Sequence, residues 1–423
     1  MSTLNLDWIR AQFPALAETV NGQPAIFFDG PGGTQVTQGV IDAIRQYLTH
    51  ANANTHGAFL TSARTDHIIA EAHRAMADLL GCDAEEVVFG PNMTTLTFQL
   101  SRSFGRELQP GDEIVVTRLD HDANVTPWHT LEERGAVIRT VDIDVEDCTL
   151  DMADFAAQIN ERTKLVAVGY ASNAVGTIND VQAVVAMARR VGALTFVDAV
   201  HYAPHGPIDV RELGCDFLAC SPYKFFAPHM GALYGKREHL ERLHPYKVRP
   251  AANTTPNRWQ TGTQNHEAMA GVTAAVNYLA DLGRRVQSAE GSDASRKSRR
   301  DSLLTAMTAI KMYERGLIER LIAGLLTIPG LTFYGIREQA RFGMRTPTVS
   351  FRIEGHTPRT IAEYLGKQGI FVWDGNYYAL SLTERLGVEA NGGMVRVGLV
   401  HYNTAEEVER LLEALATLTR AGR

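Results

Sequence analysis

The chain has 423 residues, 45% of them hydrophobic and 21% charged, a composition typical of a globular protein large enough for two lobes. Its 41 basic and 48 acidic residues give a formal net charge of −7 and form no long block of one sign. This balance argues against a general nucleic-acid or membrane-surface binder, which needs a basic face. No stretch reaches the roughly 18 uncharged apolar residues of a membrane-spanning helix.

Two further features bear on localisation and metals. The segment Met1–Phe13 carries Asp7 and Arg10 and lacks the apolar core of a secretory signal. In a chain of this length, cysteines without metal-ligand spacing are interpreted as buried thiols of a reducing compartment. The cysteines concerned are Cys82, Cys148, Cys215 and Cys220. We therefore predict a cytoplasmic protein without a metal site.

Short apolar runs alternate with amphipathic stretches between about residues 65 and 235. One helix is predicted to begin at Asp66 and to end at Gly81, and another spans Val185–Val191. Strands are predicted at residues 86–89, 113–117, 136–140, 164–170, 194–198 and 217–220. Apolar strands separated by helices indicate βαβ units and a largely parallel sheet with both faces covered.

A smaller α+β lobe is predicted beyond this region. The polar stretch Arg284–Asp301 is interpreted as a solvated helix face or a mobile connection. A long amphipathic helix follows over residues 303–327, and strands are predicted over 348–353 and 394–400. We therefore predict a large domain over residues 26–279 and a small domain made of residues 1–25 and 280–423.

The first candidate for chemistry is Lys224, which follows an apolar strand in the segment Ser221-Pro-Tyr-Lys224. A lysine at a buried strand end is costly unless it is used. A desolvated lysine has a lowered pKa and can form a Schiff base. On this feature alone, a lysine that reaches to solvent is the simpler interpretation.

Two further segments belong with this lysine. Asp198 ends the neighbouring apolar strand, where a pyridoxal phosphate cofactor requires an acid beside its ring nitrogen, although a helix cap is the alternative. The segment Pro91–Thr95 precedes a helical stretch, so its amides and hydroxyls can bind phosphate, although threonines are also ordinary N-caps. Asp198 and Lys224 at successive strand ends together indicate a pyridoxal phosphate site.

Seven segments support this interpretation because they occur in the order of one family's motifs. They are Asp7–Pro14, Phe27–Thr34, Asn54–His56, Leu119–Trp128 (similar to EHHANxxPW), Ala171–Thr177 (SNVxGT), Trp259–Thr263 (EAGTP) and Val395–Thr404 (RxSxxxYNT). Over almost its whole length the chain resembles the cysteine desulfurase branch of the class V, fold type I pyridoxal-phosphate-dependent aminotransferases. Taken singly, each segment also has an ordinary structural interpretation.

The resemblance implies an α/β fold in which a large domain with a mostly parallel seven-stranded sheet joins a smaller α+β domain. It implies pyridoxal 5'-phosphate as cofactor, held as a Schiff base by Lys224, which then acts as the general base for the Cα proton. Asp198 is expected at the ring nitrogen, and His121 is expected to stack on the ring. These three are the expected catalytic residues.

The resemblance, together with the segments described above, assigns binding residues. The cofactor set comprises Lys224, Asp198, His121, His201, Asn173, Met93, Thr94, Thr95, Ser221, Tyr223 and Thr263, and the substrate set comprises Arg396, His56, Asn173 and Tyr377. Thr263 is expected to reach the partner's phosphate, which implies a homodimer with shared active sites. The charge balance gives no reason to expect a nucleic-acid or membrane partner. The chain departs from the family where Gly57 replaces arginine, His201 replaces glutamine and Tyr223 replaces histidine.

The sharpest departure is a missing thiol. True cysteine desulfurases carry a nucleophilic cysteine shortly before the carboxylate-binding arginine, yet residues 369–395 contain none. The usual protein persulfide is therefore not expected. We predict a cysteine desulfurase-like C–S lyase that acts by β-elimination on a cysteine-type amino acid. An aminotransferase or an epimerase of the same class is the alternative, and a non-catalytic cofactor-binding partner protein is a third. Tyr377 and Tyr378 lie in the segment that stands where the family's cysteine loop would be. Three roles are open for them: supplying an acid, lining the substrate pocket, or packing against neighbouring residues.

Overall fold

The computed structural model describes residues 4–289, 291 and 297–421. The α-helices are α1 Leu6–Ala11, α2 Gln38–His50, α3 Leu60–Leu80, α4 Met93–Phe104, α5 Thr126–His129, α6 Met152–Gln158, α7 Val181–Arg190, α8 Val210–Leu213, α9 Arg237–Arg242, α10 His266–Ala289, α11 Arg299–Leu325, α12 Pro358–Lys367, α13 Leu380–Arg385 and α14 Ala405–Ala421. The strands are β1 Thr19–Val20, β2 Gln23–Pro24, β3 Ile26–Phe27, β4 Val87–Gly90, β5 Glu113–Thr117, β6 Val137–Val141, β7 Ile143–Asp144, β8 Thr149–Leu150, β9 Thr163–Gly169, β10 Leu194–Asp198, β11 Phe217–Cys220, β12 Gly231–Gly235, β13 Leu331–Tyr334, β14 Thr348–Ile353, β15 Ile370–Phe371, β16 Trp373–Gly375 and β17 Met394–Gly398.

A seven-stranded sheet forms the centre of the molecule, in the order β4-β12-β11-β10-β9-β5-β6. The pairs from β11 to β6 are parallel, whereas β12 is antiparallel to both of its neighbours. The predicted mostly parallel α/β sheet is confirmed, and each predicted strand of this region lies within one residue of its observed bounds. Strand β12 was not predicted, because Gly-Ala-Leu-Tyr-Gly has too few apolar residues to stand out.

The helices next to this sheet are longer at their amino ends than predicted. Helix α3 begins at Leu60, six residues before Asp66, and ends where predicted because Gly81 adopts the left-handed conformation with φ 78°. Helix α7 begins at Val181, since the Asp180 carboxylate accepts the Ala183 N–H at 3.0 Å as an N-cap. Within the described ranges, no helix is both long and apolar enough to cross a membrane.

A second, four-stranded antiparallel sheet has the order β13-β14-β17-β16. It packs with α11, α12 and α14 around an apolar cluster of its own, so the predicted smaller α+β lobe has its own core. Helix α10 runs without a break across residue 280. The division at residues 279 and 280 remains a proposal.

The predicted polar connection is only partly described. Residues 290 and 292–296 of it lie outside the described residues. The prediction of a solvated face is wrong for its end, because Arg299 binds Glu71 Oε1 at 2.5 Å and Asp78 Oδ2 at 2.6 Å on α3. The basic residue at the start of α11 therefore binds carboxylates of α3 and links the two helices, instead of facing water.

The carboxyl ends of β5, β9, β10 and β11 meet at one edge of the large sheet, where open α/β sheets place their ligands. The segments containing His121, Asn173 and Lys224 follow β5, β9 and β11, and Asp198 is the last residue of β10. The register of the small sheet places Arg396 on its inner strand, paired with Ser350 and Trp373. The fold therefore assembles the predicted site from residues distant in sequence.

The opposite end of the sheet is held by Asp216. Its carboxylate accepts hydrogen bonds from the Thr195 N–H at 2.8 Å, the Thr195 hydroxyl at 2.9 Å, Lys236 Nζ at 2.6 Å and His239 Nε2 at 3.2 Å. Burial alone raises the pKa of Asp216, but the bonds from His239 and Lys236 outweigh it and hold the pKa well below its usual range. This carboxylate joins β10 to the segment around β12.

We expect Asp216→Asn to lower the free energy of unfolding at pH 7 by about 2 kcal/mol, because a charged acceptor of four hydrogen bonds is lost. A depressed pKa contributes stability above the unfolded value of about 3.9, so the deficit shrinks as the pH falls below about 4. Urea unfolding followed by circular dichroism at several pH values measures it. The control Asp281→Asn alters an exposed ion pair and costs less than about 1 kcal/mol. A deficit that grows on acidification contradicts the argument.

Candidate active site

Lys224 lies in a short 3₁₀ turn, Pro222–Lys224, directly after β11. Its side chain is buried, and Nζ contacts the carbonyl oxygen of Pro31 in the loop before α2. The pKa of Lys224 is lowered to about 7, chiefly by burial and also by the nearby Arg396 charge, while Asp198 acts in the opposite direction. A substantial fraction of this amine is therefore neutral at physiological pH.

Asp198 is the last residue of β10, and the parallel pairing of β10 with β11 brings it close to the lysine turn. One of its carboxylate oxygens accepts the Val200 N–H at 2.8 Å. Burial raises the pKa of Asp198 to about 6, while that N–H and the Lys224 ammonium act in the opposite direction. Lysine and carboxylate share one desolvated environment.

Asp120 is a second buried carboxyl that sequence reasoning missed. Its oxygens accept the Gly169 N–H and the Asn124 side-chain amide, each at 2.8 Å. Burial raises its pKa to about 7, and the charge of Asp198 raises it as well. Asp120 therefore fixes the loop after β5 onto the end of β9. The sequence Asp120-His121-Asp122 shows that an acid is present here. Its burial could not be predicted, because it depends on contacts with β9, which is distant in sequence.

His121 caps the turn that follows this acid. Its Nδ1 accepts the Ala123 N–H at 3.0 Å, so in the neutral ring the hydrogen is on Nε2. Burial lowers the pKa of His121 to about 3, with further contributions from the Lys224 and Arg396 charges. The Tyr378 ring stacks on it, with centroids 5.4 Å apart and planes 20° apart.

Arg396 approaches from the small sheet. Its guanidinium is buried, donates from Nη1 to the Asn173 carbonyl oxygen at 3.0 Å, and has no partner for Nε among the described residues. The Tyr377 ring covers it, with Cζ 4.2 Å from the ring centroid. Asp29 lies close enough for Arg396 to lower its pKa, although burial dominates and raises that pKa to about 6.

Residues 373–378, which stand where cysteine desulfurases carry the cysteine loop, bind the large domain through two hydrogen bonds. Asn173 Nδ2 donates to the Tyr377 carbonyl oxygen at 2.9 Å, and the Asp122 N–H donates to that of Tyr378 at 2.7 Å. Both tyrosines have left-handed backbone, with φ 57° and 60°. The Tyr377 hydroxyl donates to the Met394 carbonyl, and burial raises its pKa far above the usual value. Tyr377 is therefore a covering side chain, not an available acid.

Two adjoining cavities contain most of the predicted residues. The deeper one, of about 80 Å³, is lined by Met93, Thr94, His121, Asn173, Asp198, His201, Ser221, Tyr223 and Lys224 among others. The outer one, of about 1,010 Å³, adds Tyr377 and Arg396. Three predicted residues line neither cavity. Thr95 lies on α4, where its N–H is bound by the Asn92 cap at 2.8 Å, and His56 and Thr263 are exposed.

The deep cavity fits pyridoxal phosphate by its donor set. It joins a buried amine, a buried carboxylate, a flat imidazole and the amino end of α4. Asn173 Oδ1 is buried there without a hydrogen-bond partner in the described chain. Because buried polar atoms are seldom left unpaired, this oxygen indicates a polar ligand.

The chain's thiols lie elsewhere. All four cysteines belong to the described residues, and none lines either cavity. Cys220, the nearest to Lys224 in sequence, is buried inside β11, and burial raises its pKa to about 12. This thiol is protonated and enclosed, which are poor conditions for a sulfur nucleophile.

A family model, sequence relatives and a solved structure all assign the chain to the same family. The chain matches the class-V aminotransferase family over residues 26–300 and 302–411. It is 33% identical over 98% of its length to a probable cysteine desulfurase of Mycolicibacterium paratuberculosis, of which it spans 58%. It is 31% identical to a cysteine desulfurase of Pectobacterium atrosepticum, with 98% of both chains covered.

A solved apo structure of a cysteine desulfurase from Thermococcus onnurineus superposes with a TM-score of 0.86 at 27% identity, covering 100% of this chain and 99% of that one. The match therefore extends from sequence to the arrangement of both lobes. The family's enzymes depend on pyridoxal phosphate, for which the deep cavity has a fitting donor set. The chain belongs to the class-V aminotransferase family, in its cysteine desulfurase-like branch.

Proposed function

We propose that this protein is a pyridoxal-phosphate-dependent C–S lyase that acts by β-elimination on a cysteine-type amino acid. The observation that carries the proposal is the deep cavity, where a buried amine, Lys224, lies with the carboxylate of Asp198 and the buried guanidinium of Arg396 nearby. When bound, the cofactor supplies an electron sink for the electron pair left at Cα by proton removal.

Lys224 would hold the cofactor and then take the Cα proton. Its pKa of about 7 leaves much of the amine neutral near neutral pH, as a general base requires. Burial excludes competing water from Nζ. Asp198 would keep the ring nitrogen protonated, and the neutral His121 ring would pack on the flat face of the cofactor.

Arg396 would orient the substrate carboxylate. Its Nε has no protein partner among the described residues and is therefore available for a charge-assisted hydrogen bond. The Tyr377 ring restricts the guanidinium to one plane. Asn173 joins this arginine to the deep cavity, since its carbonyl oxygen accepts from Nη1.

We further propose a homodimer with shared active sites. An apolar groove of about 570 Å³ lies between α2, α3 and α10, and Phe59 and Leu60 beside it are 58% and 65% exposed. A second copy that covers this groove would remove apolar surface from water. His56 and Thr263 are exposed and outside their own chain's cavities, as expected for residues that serve a partner. We place the protein in the cytoplasm, because its cysteines are free thiols.

The first test is Lys224→Ala. We expect the visible absorbance of the lysine-bound cofactor to disappear, while Lys247→Ala, outside both cavities, retains it. The wild-type protein is then supplied with cysteine-type substrates and assayed for keto acid and for released sulfide or thiol. Equal amounts of keto acid and sulfur product are expected. Pyridoxamine phosphate without elimination would make the protein an aminotransferase, and an inverted Cα would make it an epimerase.

The second test uses pH. Because burial lowers the pKa of Lys224 to about 7, the rate at which apoprotein takes up pyridoxal phosphate should rise through about pH 7 and level above it. Asp198 raises that pKa, so Asp198→Asn should move the midpoint to lower pH. Stopped-flow absorbance measures both. A midpoint near the ordinary lysine value of about 10.4 would show that Lys224 is not desolvated.

The third test separates binding from chemistry. Arg396→Lys keeps the charge but loses the fork geometry, so KM should rise about 10- to 100-fold with a smaller effect on kcat. Arg352→Lys on the neighbouring strand, where the side chain binds backbone carbonyls of residues 391 and 393, is the matched control. An unchanged KM in the first variant would remove Arg396 from the substrate site.

A further inference from the structure

The outer cavity extends from residues of the cofactor set, such as His121 and Lys224, to an outer wall at residues 373–378. Its volume of about 1,010 Å³ lies at the upper end of the roughly 300–1,000 Å³ typical of pockets for drug-sized ligands. Two of its wall residues, Trp373 and Tyr378, remain 48% and 72% exposed. The loop that replaces the cysteine loop thus presents aromatic surface that the chain itself does not cover.

This aromatic wall is held in place. The Trp373 indole lies directly on the backbone of Gly32, where an added Cβ would overlap it. Tyr378 stacks on His121, and its carbonyl oxygen accepts the Asp122 N–H. Trp373 and Tyr378 are therefore oriented by contacts with the residues next to Lys224.

The charged residues that line the outer cavity also restrict which substituent can bind there. Asp122, Asp374 and Glu389 line the outer cavity, whereas its basic residues are Lys224 and Arg396, both buried. Each carboxylate has a protein partner, respectively Thr126 at 2.8 Å, Arg359 at 3.3 Å and Asn376 at 3.0 Å. The outer wall therefore disfavours anionic groups and leaves the aromatic rings as its free contact surface.

Building on the proposed function, we propose that the site takes S-substituted cysteines whose substituent is an uncharged aromatic group, with Trp373 and Tyr378 as specificity-determining residues. The missing thiol supports this choice, because no cysteine lines the cavities to accept sulfur. The sulfur then leaves on the substituent that the substrate already carries.

The reaction balances without an oxidant or reductant. Lys224 removes the Cα proton, the Cβ–S bond breaks with its electron pair on sulfur, and the sulfur takes up a proton to leave as R–SH. One water hydrolyses the remaining C–N bond. R–S–CH₂–CH(NH₃⁺)–COO⁻ and water give R–SH, pyruvate and ammonium.

The test compares S-benzyl-L-cysteine, S-(4-carboxybenzyl)-L-cysteine and L-cysteine on the holoenzyme, with pyruvate and thiol or sulfide as readouts. We expect kcat/KM to be at least about 10-fold higher for the benzyl conjugate than for either other substrate, since stacking on one or two rings gives about 3- to 10-fold each. Trp373→Ala and Tyr378→Ala should each raise KM for the benzyl conjugate about 3- to 10-fold and change KM for L-cysteine less than about 2-fold. Tyr246→Ala, an exposed tyrosine outside both cavities, is the matched control.

Calorimetric binding of the benzyl conjugate to the cofactor-loaded Lys224→Ala protein, with and without Trp373→Ala, measures recognition apart from turnover. The same 3- to 10-fold loss of affinity is expected. L-cysteine or the carboxybenzyl conjugate reacting as well as the benzyl conjugate would overturn this inference and leave the proposed function standing, as would an unchanged affinity in Trp373→Ala. Failure to release pyruvate from any of the three substrates would overturn both.

Discussion

The site depends on keeping two cations, Lys224 and Arg396, in one desolvated region. Burial lowers the pKa of both groups, and the charge of Arg396 lowers the pKa of Lys224 as well. Buried charges persist only when opposite charges and hydrogen bonds compensate them. Asp198 does this for the lysine and Asp29 for the arginine. The four strand ends and the small sheet must therefore be assembled together before Lys224 can act as a neutral amine.

Much of this organisation could be predicted from local sequence. Apolar runs locate β5, β10 and β11 at their observed bounds, because buried parallel strands are continuously hydrophobic. Asp198 and Lys224 could be found for the same reason, since Asp198 ends one such run and Lys224 lies four residues after the end of the next. The motifs added His121, Asn173 and Arg396, which the fold places around the two cavities.

Other features lay beyond a local argument. The burial of Asp29 and Asp120 depends on partners far away in the sequence, such as Gly169, and nothing near either acid indicates it. Three interpretations of Tyr377 were open from the sequence: an acid, a pocket residue and a packing residue. Its side chain lines the outer cavity and packs on Arg396, whereas its hydroxyl is bound to the Met394 carbonyl. His56 and Thr263 are exposed and line neither cavity of their own chain, and nothing in their local sequence indicates this.

The two hydrogen bonds that hold residues 377 and 378 to the large domain have a consequence for the chemistry that this loop can perform. A cysteine that ferries sulfur has to swing between the cofactor and an acceptor, so its loop must detach from the large domain. Here the carbonyl oxygens of Tyr377 and Tyr378 accept hydrogen bonds from Asn173 and Asp122, respectively. The two tyrosines also have left-handed backbone conformations. Placing a thiol at either position would put it on a fixed wall. In this chain the loop is therefore a stationary surface, and adding one thiol to it would not make it a mobile carrier of sulfur.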